Sequence, residues 1–197
     1  LTSFPKEKRH LRYYRSMKLV IIRHAESNKM AGLPGEPDAP SPAGHLQIER
    51  LTKTCRNESV EAIFHSTQSR AVFTAEALAL TLDVPSIAQP GIEERNFGDW
   101  DNWEWPQIAA ELDKLTTEER YTFVPPNGES WQQMEERLRA ALGQINTKQY
   151  ASLAIVTHWG PIRALLPMIK DEPKESTIDL LVESGQAFIV DYQTKAE

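Results

Sequence analysis

The chain has 197 residues, 40% hydrophobic and 25% charged, with a formal net charge of −6 and one cysteine. A chain of this size and balance can bury a substantial core without staples. A lone Cys55 excludes an internal disulfide framework or a multi-cysteine metal site, and no apolar run reaches the roughly 18–20 residues of a membrane span.

The charge is uneven from the first residues. Residues 1–18 carry six basic side chains and one acidic, +5, which leaves −11 on residues 19–197. The acidic body argues against a nucleic-acid partner. The basic head precedes Met17 and reads as an extension, residues 1–16, outside a single domain spanning 17–197. It has no secretory-type apolar stretch, so the expected setting is cytoplasmic, without membrane attachment.

Met17–Arg23 (MKLVIIR) is a continuous, β-branched apolar run that predicts a buried strand. Ala31–Gly44 holds four prolines and three glycines and predicts a surface loop. A helix is expected from Ala43 to about Cys55–Glu58, with Leu46, Ile48 and Leu51 as its apolar face. Ala62–His65 (AIFH) predicts a second short strand, and Ser69–Leu82 a helix that stops before Pro85. Ile87–Trp105 reads as irregular and unusually aromatic. Helices are expected over Pro106–Leu115 and Ser130–Ile145, separated by a turn at Pro125-Pro126-Asn127-Gly128. Leu153–Thr157 (LAIVT) predicts a third buried strand, Pro161–Ile169 a helix with proline in its first turn, and Ala187–Tyr192 a last strand. Buried strands separated by helices predict a three-layer αβα domain around a mostly parallel sheet. Ligands of such sheets sit beyond the carboxyl ends of the strands.

Two histidines stand at such ends: His24 after LVIIR and His158 after LAIVT. A satisfied core histidine is the ordinary reading for either alone, but the shared placement raises both. His65 ends the AIFH strand and keeps the ordinary reading, because Ser66 and Arg70 beside it are the better chemical candidates. Arg23 adjoins His24, and Arg70 opens the helix after the second strand. Arginine gives paired, charge-assisted hydrogen bonds to phosphate oxygens, and a nearby cation keeps a histidine neutral and nucleophilic. Glu93, Glu94, Asp99 and Asp101 lie among aromatic rings, where a carboxyl can hold its proton and act as an acid. Composition does not choose among them.

Arg23-His24-Ala25-Glu26-Ser27 resembles the RHGE[TS] signature of the histidine phosphatase superfamily, the phosphoglycerate mutase-like proteins. Ser41-Pro42-Ala43-Gly44-His45-Leu46-Gln47 is similar to its LTxxGxxQ segment, and Ser66 through Ala75 to SSxxxRAxxTA, which aligns Arg70 with the motif's arginine. Ile92 through Asp101 resembles LxExxFGxWEG and selects Glu94 over Glu93. Asn127-Gly128-Glu129-Ser130 resembles the GES element, and Val156 through Arg163 is similar to VSHGGxIR. The six motifs run in order from Lys18 to Arg163. Met30 stands where the family often has asparagine, with Asn28 as the nearest substitute, and Trp159 replaces a glycine beside His158.

The resemblance implies a phosphoglycerate mutase-like fold and a phosphomonoesterase acting on a small phosphorylated metabolite. His24 would become phosphohistidine. Arg23, Arg70 and a protonated His158 would hold the phosphoryl oxygens, and Glu94 would serve as general acid and base. Ser27, Asn28 and Trp159 would complete the phosphate and substrate contacts, with no metal and no cofactor. Two other readings stand beside it. One is a cofactor-dependent phosphoglycerate mutase, disfavoured by the mere sixty or so residues between Glu94 and His158. The other is a non-catalytic phospho-ligand or protein-binding module that would use Trp100, Trp103 and Trp105 as a partner surface.

Overall fold

The computed structural model describes residues 14–146, 150–177 and 180–195. Its centre is a five-stranded sheet of order β3-β2-β4-β1-β5. The strands are β1 (Tyr14–Arg23), β2 (Ile63–His65), β3 (Ser86–Ala88), β4 (Ser152–Thr157) and β5 (Ala187–Lys195). β1, β2, β3 and β4 are parallel, and only the edge strand β5 runs antiparallel, against β1.

Strand alternation sorts the core into two layers. Leu19 and Ile21 of β1 face Met134, Leu138 and Ile145 of α6 (Trp131–Asn146) and Ile162 and Leu165 of α7 (Trp159–Lys170). Val20 and Ile22 face the other way, onto Ile48 and Leu51 of α2 (Pro42–Asn57) and Ala71, Ala75 and Leu78 of α3 (Ser69–Leu82). β4 is buried along its whole length, as its unbroken apolar run requires. The expected three-layer αβα arrangement is therefore the observed one.

Three expectations need correction. β1 starts at Tyr14, three residues before Met17, because the backbone of Tyr14–Ser16 pairs with Gln193–Lys195 of β5; the boundary expected at residue 16 lies inside a strand, and residues 1–13 fall outside the described residues. Ile87 belongs to β3 and not to an irregular segment, since β2 offers it a parallel ladder. The helix expected over Pro106–Leu115 is α4 (Trp105–Leu112), and a second short helix that was not expected, α5 (Thr117–Thr122), follows it. α5 begins with a capping box in which Thr116 and Glu119 satisfy each other's backbone N–H groups. A single-turn helix, α1 (Asn28–Ala31), follows β1. No helix among the described residues is long and apolar enough to cross a membrane.

Candidate active site

Because β1, β2 and β4 are parallel and in register, with Arg23 opposite Thr157 and His65 opposite Val156, their carboxyl ends open on one edge. His24 leaves β1 there and His158 leaves β4, with ring centroids 5.1 Å apart. The His24 backbone N–H bonds the Thr157 carbonyl, so the two strand ends are stitched at the residues that matter.

The His24 ring is buried, and its Nδ1 lies 2.9 Å from the Ala25 carbonyl oxygen. A carbonyl only accepts, so Nδ1 carries the proton and Nε2 presents a lone pair. Burial above all, with help from Arg70 and Arg23 and against the Ala25 bond, lowers the pKa of His24 to about 3. The ring is neutral at any physiological pH. The Ala25 N–H is held in turn by Thr74 Oγ1, the threonine of the α3 motif. Arg70 Nε points at His24 Nε2 from 3.2 Å.

His158 is fully buried and caps α7. Its Nε2 lies 2.8 Å from Ser66 Oγ. Ser66 Oγ accepts the Gln68 N–H; where its own proton goes to Nε2, the His158 proton sits on Nδ1, a buried atom with no hydrogen-bond partner. Arg23 Nε is likewise buried without one, although its Nη1 donates to the Val182 carbonyl at 2.6 Å. Burial, then His24, Arg70, Arg23 and Arg137, lower the pKa of His158 well below its ordinary value. By itself the ring is therefore neutral, and the protonation expected for His158 requires an anion against it to offset this burial.

Glu93 and Glu94 are separated by their surroundings. Glu93 accepts from the Thr67 hydroxyl at 2.8 Å and the Gly91 N–H at 2.7 Å. Burial opposes its ionisation, but these bonds outweigh it and lower its pKa. Glu94 is turned to the other side, its Oε1 accepting the N–H groups of Arg95 at 2.9 Å and Gly160 at 3.0 Å. Burial raises its pKa, with those two bonds and the arginines pulling back. A side chain at Gly160 would place Cβ 2.5 Å from Glu94 Oε1, so only glycine lets the carboxyl reach the start of α7. Gln68 Oε1 ties this acid to the phosphate-type residues by accepting from both Arg70 Nη2 and the Glu94 N–H.

The structure thus brings together Arg23, His24, Arg70, Glu94 and His158. Two of the other three expected contacts are engaged within their own loop. Ser27 Oγ caps α1 by accepting the Met30 N–H, and Asn28 Nδ2 donates to the Glu36 carbonyl; both brace the 28–40 loop. Trp159, next to His158, lines a cavity of about 320 Å³. His65 is buried with Nδ1 on the Ser66 carbonyl, as its ordinary reading holds. Trp100 is buried, stacked on Trp103 at 5.1 Å and against Phe123 at 5.5 Å, and packs its own loop. Asp101 caps the Phe97 N–H and Asp99 accepts from Asn127, so neither is a free acid.

The sequence marks Ser66 as a chemical candidate but assigns no role to Gln68, Gly160 or the Val182 carbonyl. Gln68 and Gly160 lie inside the matched motifs, whereas Val182 lies outside them all. The signature's Glu26 and the Ser41–Gln47 segment also gain a role. Glu26 accepts from Ser41 Oγ at 2.5 Å, and its N–H donates to Gln47 Oε1 at 2.8 Å, so the start of α2 is clamped to the nucleophile loop.

A family profile described as the histidine phosphatase superfamily (branch 1) matches residues 19–196. The chain belongs to this superfamily. The adenosylcobalamin/alpha-ribazole phosphatase of Salmonella typhimurium is 28% identical over 177 residues, covering 86% of this chain and 87% of that one. A Photorhabdus laumondii protein named "Probable phosphoglycerate mutase GpmB" is 26% identical over 191 residues, covering 90% and 86%. The crystal structure of the alpha-ribazole phosphatase from Shigella flexneri superposes with a TM-score of 0.72 at 25% identity, covering 91% of this chain and 95% of that one.

Proposed function

We propose that this histidine phosphatase hydrolyses a small phosphorylated metabolite through a phosphohistidine on His24. The observation that carries the reading is the pair of buried polar atoms without a protein partner, Arg23 Nε and His158 Nδ1, one on the residue before His24 and the other on the ring 5.1 Å from it. Buried donors are rarely left unsatisfied, and an anion with several oxygens supplies what both lack. Arg70 adds a third donor, its Nε 3.2 Å from His24 Nε2.

In this reading Nε2 of His24 attacks phosphorus. The bond from phosphorus to the ester oxygen breaks, and its electron pair stays on that oxygen. Glu94, whose raised pKa favours the protonated form, gives the oxygen its proton. Water then attacks the phosphohistidine and gives a proton to Glu94, and the phosphorus–nitrogen pair returns to Nε2. Positioned donors that meet the charge developing on the phosphoryl oxygens supply most of the acceleration.

Incubation with p-nitrophenyl phosphate tests the reading. Turnover is expected, together with an acid-labile, alkali-stable phosphoenzyme that His24→Ala abolishes while the protein stays folded. No hydrolysis from mildly acid to mildly alkaline pH, or a phosphoenzyme that survives His24→Ala, overturns it. The mutase reading draws on the Photorhabdus laumondii relative. It requires interconversion of 3- and 2-phosphoglycerate stimulated by bisphosphoglycerate, and the same preparation can be assayed for it.

A further inference from the structure

The cavity beside the phosphate-type residues has no part in the chemistry above, yet its walls begin where that chemistry ends. Arg95 follows Glu94 and Trp159 follows His158, and both line the cavity. The Glu94 carboxyl is held between the N–H groups of Arg95 and Gly160. The cavity wall thus includes the residues that directly follow Glu94 and His158 in the chain.

The lining is aromatic. Phe97, Trp105, Tyr121, Trp131 and Trp159 all contribute rings, and Trp105 meets Trp159 edge-on at 5.3 Å. The rings are already served by cations: Arg95 lies over Phe97 at 4.8 Å, Arg163 over Trp159 at 4.4 Å, and Lys174 over Tyr121 at 3.4 Å. Four cationic side chains line the cavity against two acidic ones, Asp113 and Glu175. Arg95 is buried, with Nε and Nη2 on the carbonyls of Glu129 and Phe123, so the wall it forms is rigid. A cavity of about 320 Å³ suits a bicyclic ring.

We propose that this cavity is the leaving-group subsite and that it selects phosphomonoesters of planar aromatic alcohols, neutral or anionic in the ring and not cationic. The proposal rests on the phosphatase reading for its catalytic meaning. Flat rings can pack on the aromatic wall, where a small polyol would leave apolar surface wet. The excess of cations repels a positively charged group and favours a negative one.

Ala109 on α4 lines the cavity and is distant in sequence from every reacting group. Filling the space with Ala109→Trp is expected to lower kcat/KM for 1-naphthyl phosphate at least about tenfold relative to phosphoserine, the scale on which a pocket discriminates by shape. Expressing each rate against wild type cancels the intrinsic difference between the two esters. Equal effects on both substrates overturn the proposal. Calorimetry with 6-hydroxynaphthalene-2-sulfonate separates this failure from failure of the phosphatase reading, because it needs no turnover. Binding to wild type that Ala109→Trp removes supports the subsite even if no ester is hydrolysed. No binding, or tighter binding of a naphthylmethylammonium ion, overturns it.

Discussion

At the phosphate end His24 and Glu94 are held by backbone: His24 by the Ala25 carbonyl, and Glu94 by the N–H groups of Arg95 and Gly160. At the aromatic end, apart from the carbonyl-bound Arg95, the rings meet side chain against side chain, Trp105 on Trp159, Arg163 over Trp159, Lys174 over Tyr121. Backbone bonds are short, directional and spaced by the fold, so the first construction fixes positions to fractions of an ångström. Ring contacts fix shape and polarity more loosely and can be changed one side chain at a time. The difference separates two properties: how the phosphoryl group is transferred, and which alcohol it is transferred from.

The largest expected effect tests whether the two ends are independent. Glu94→Gln removes the proton donor and is expected to slow alkyl phosphates by about 10²–10⁴-fold, the usual range for general acid–base catalysis. In kcat/KM, which reports the phosphorylation half-reaction, p-nitrophenyl phosphate, whose oxygen leaves as a stable anion, is expected to slow far less, while hydrolysis of the shared phosphohistidine loses its base whatever the ester. The kcat/KM loss should follow the acidity of the leaving alcohol and ignore its shape. Burial raises the Glu94 pKa, and the acid works protonated, so its contribution falls as pH rises through that value. Glu94→Gln should erase this alkaline limb from the kcat/KM profile. A loss that followed ring size would merge the two ends into one.

Gly160→Ala is expected to act more mildly. The added Cβ, 2.5 Å from Glu94 Oε1, must displace the carboxyl or the start of α7. Misplacing a reacting group by about an ångström reduces rate up to about 10²-fold. kcat should fall about ten- to a hundredfold for aryl and alkyl esters alike, with KM changing much less. A change confined to KM would mean that the carboxyl had not moved.

The contrast between the ends also governs what could be read from sequence. Arg23, His24, Arg70, Glu94 and His158 sit in ordered motifs, and four of the five strands announce themselves as apolar runs. β3 did not, because Ser86–Ala88 holds one large apolar residue, Ile87, between two small ones and is a strand only through its pairing with β2. The Ser66–His158 bond joins residues 92 apart in sequence, and only the parallel pairing of β2 with β4 reveals it. Gln68 bridges Arg70 and Glu94 in the same long-range manner. The neutrality of His158 depends on burial that its sequence neighbours do not express. The aromatic cavity was visible only as a concentration of rings, since its form depends on how α4 and α5 lie against α7.

The smallest effect is on stability, and it belongs to the phosphate end alone. The pKa of His24 falls to about 3 and that of His158 well below its ordinary value, while in the unfolded chain both titrate near 6.5. Folded pKa values below the unfolded ones mean that the unfolded state binds protons the native state refuses. The corresponding stability is fully present above about pH 6.5. It is lost as pH falls below that, for His24 all the way to about 3. Each histidine contributes a slope of up to about 1.4 kcal/mol per pH unit in this window. Urea midpoints measured between pH 7 and pH 5 should therefore drop, ahead of the range where most carboxylates protonate. His24→Asn should remove about half of the slope that the two histidines supply, whereas Ala109→Trp, in a cavity lined by no histidine, should leave the slope unchanged. A slope insensitive to His24→Asn would place its proton uptake elsewhere and remove the burial of a neutral His24 as the source of acid sensitivity.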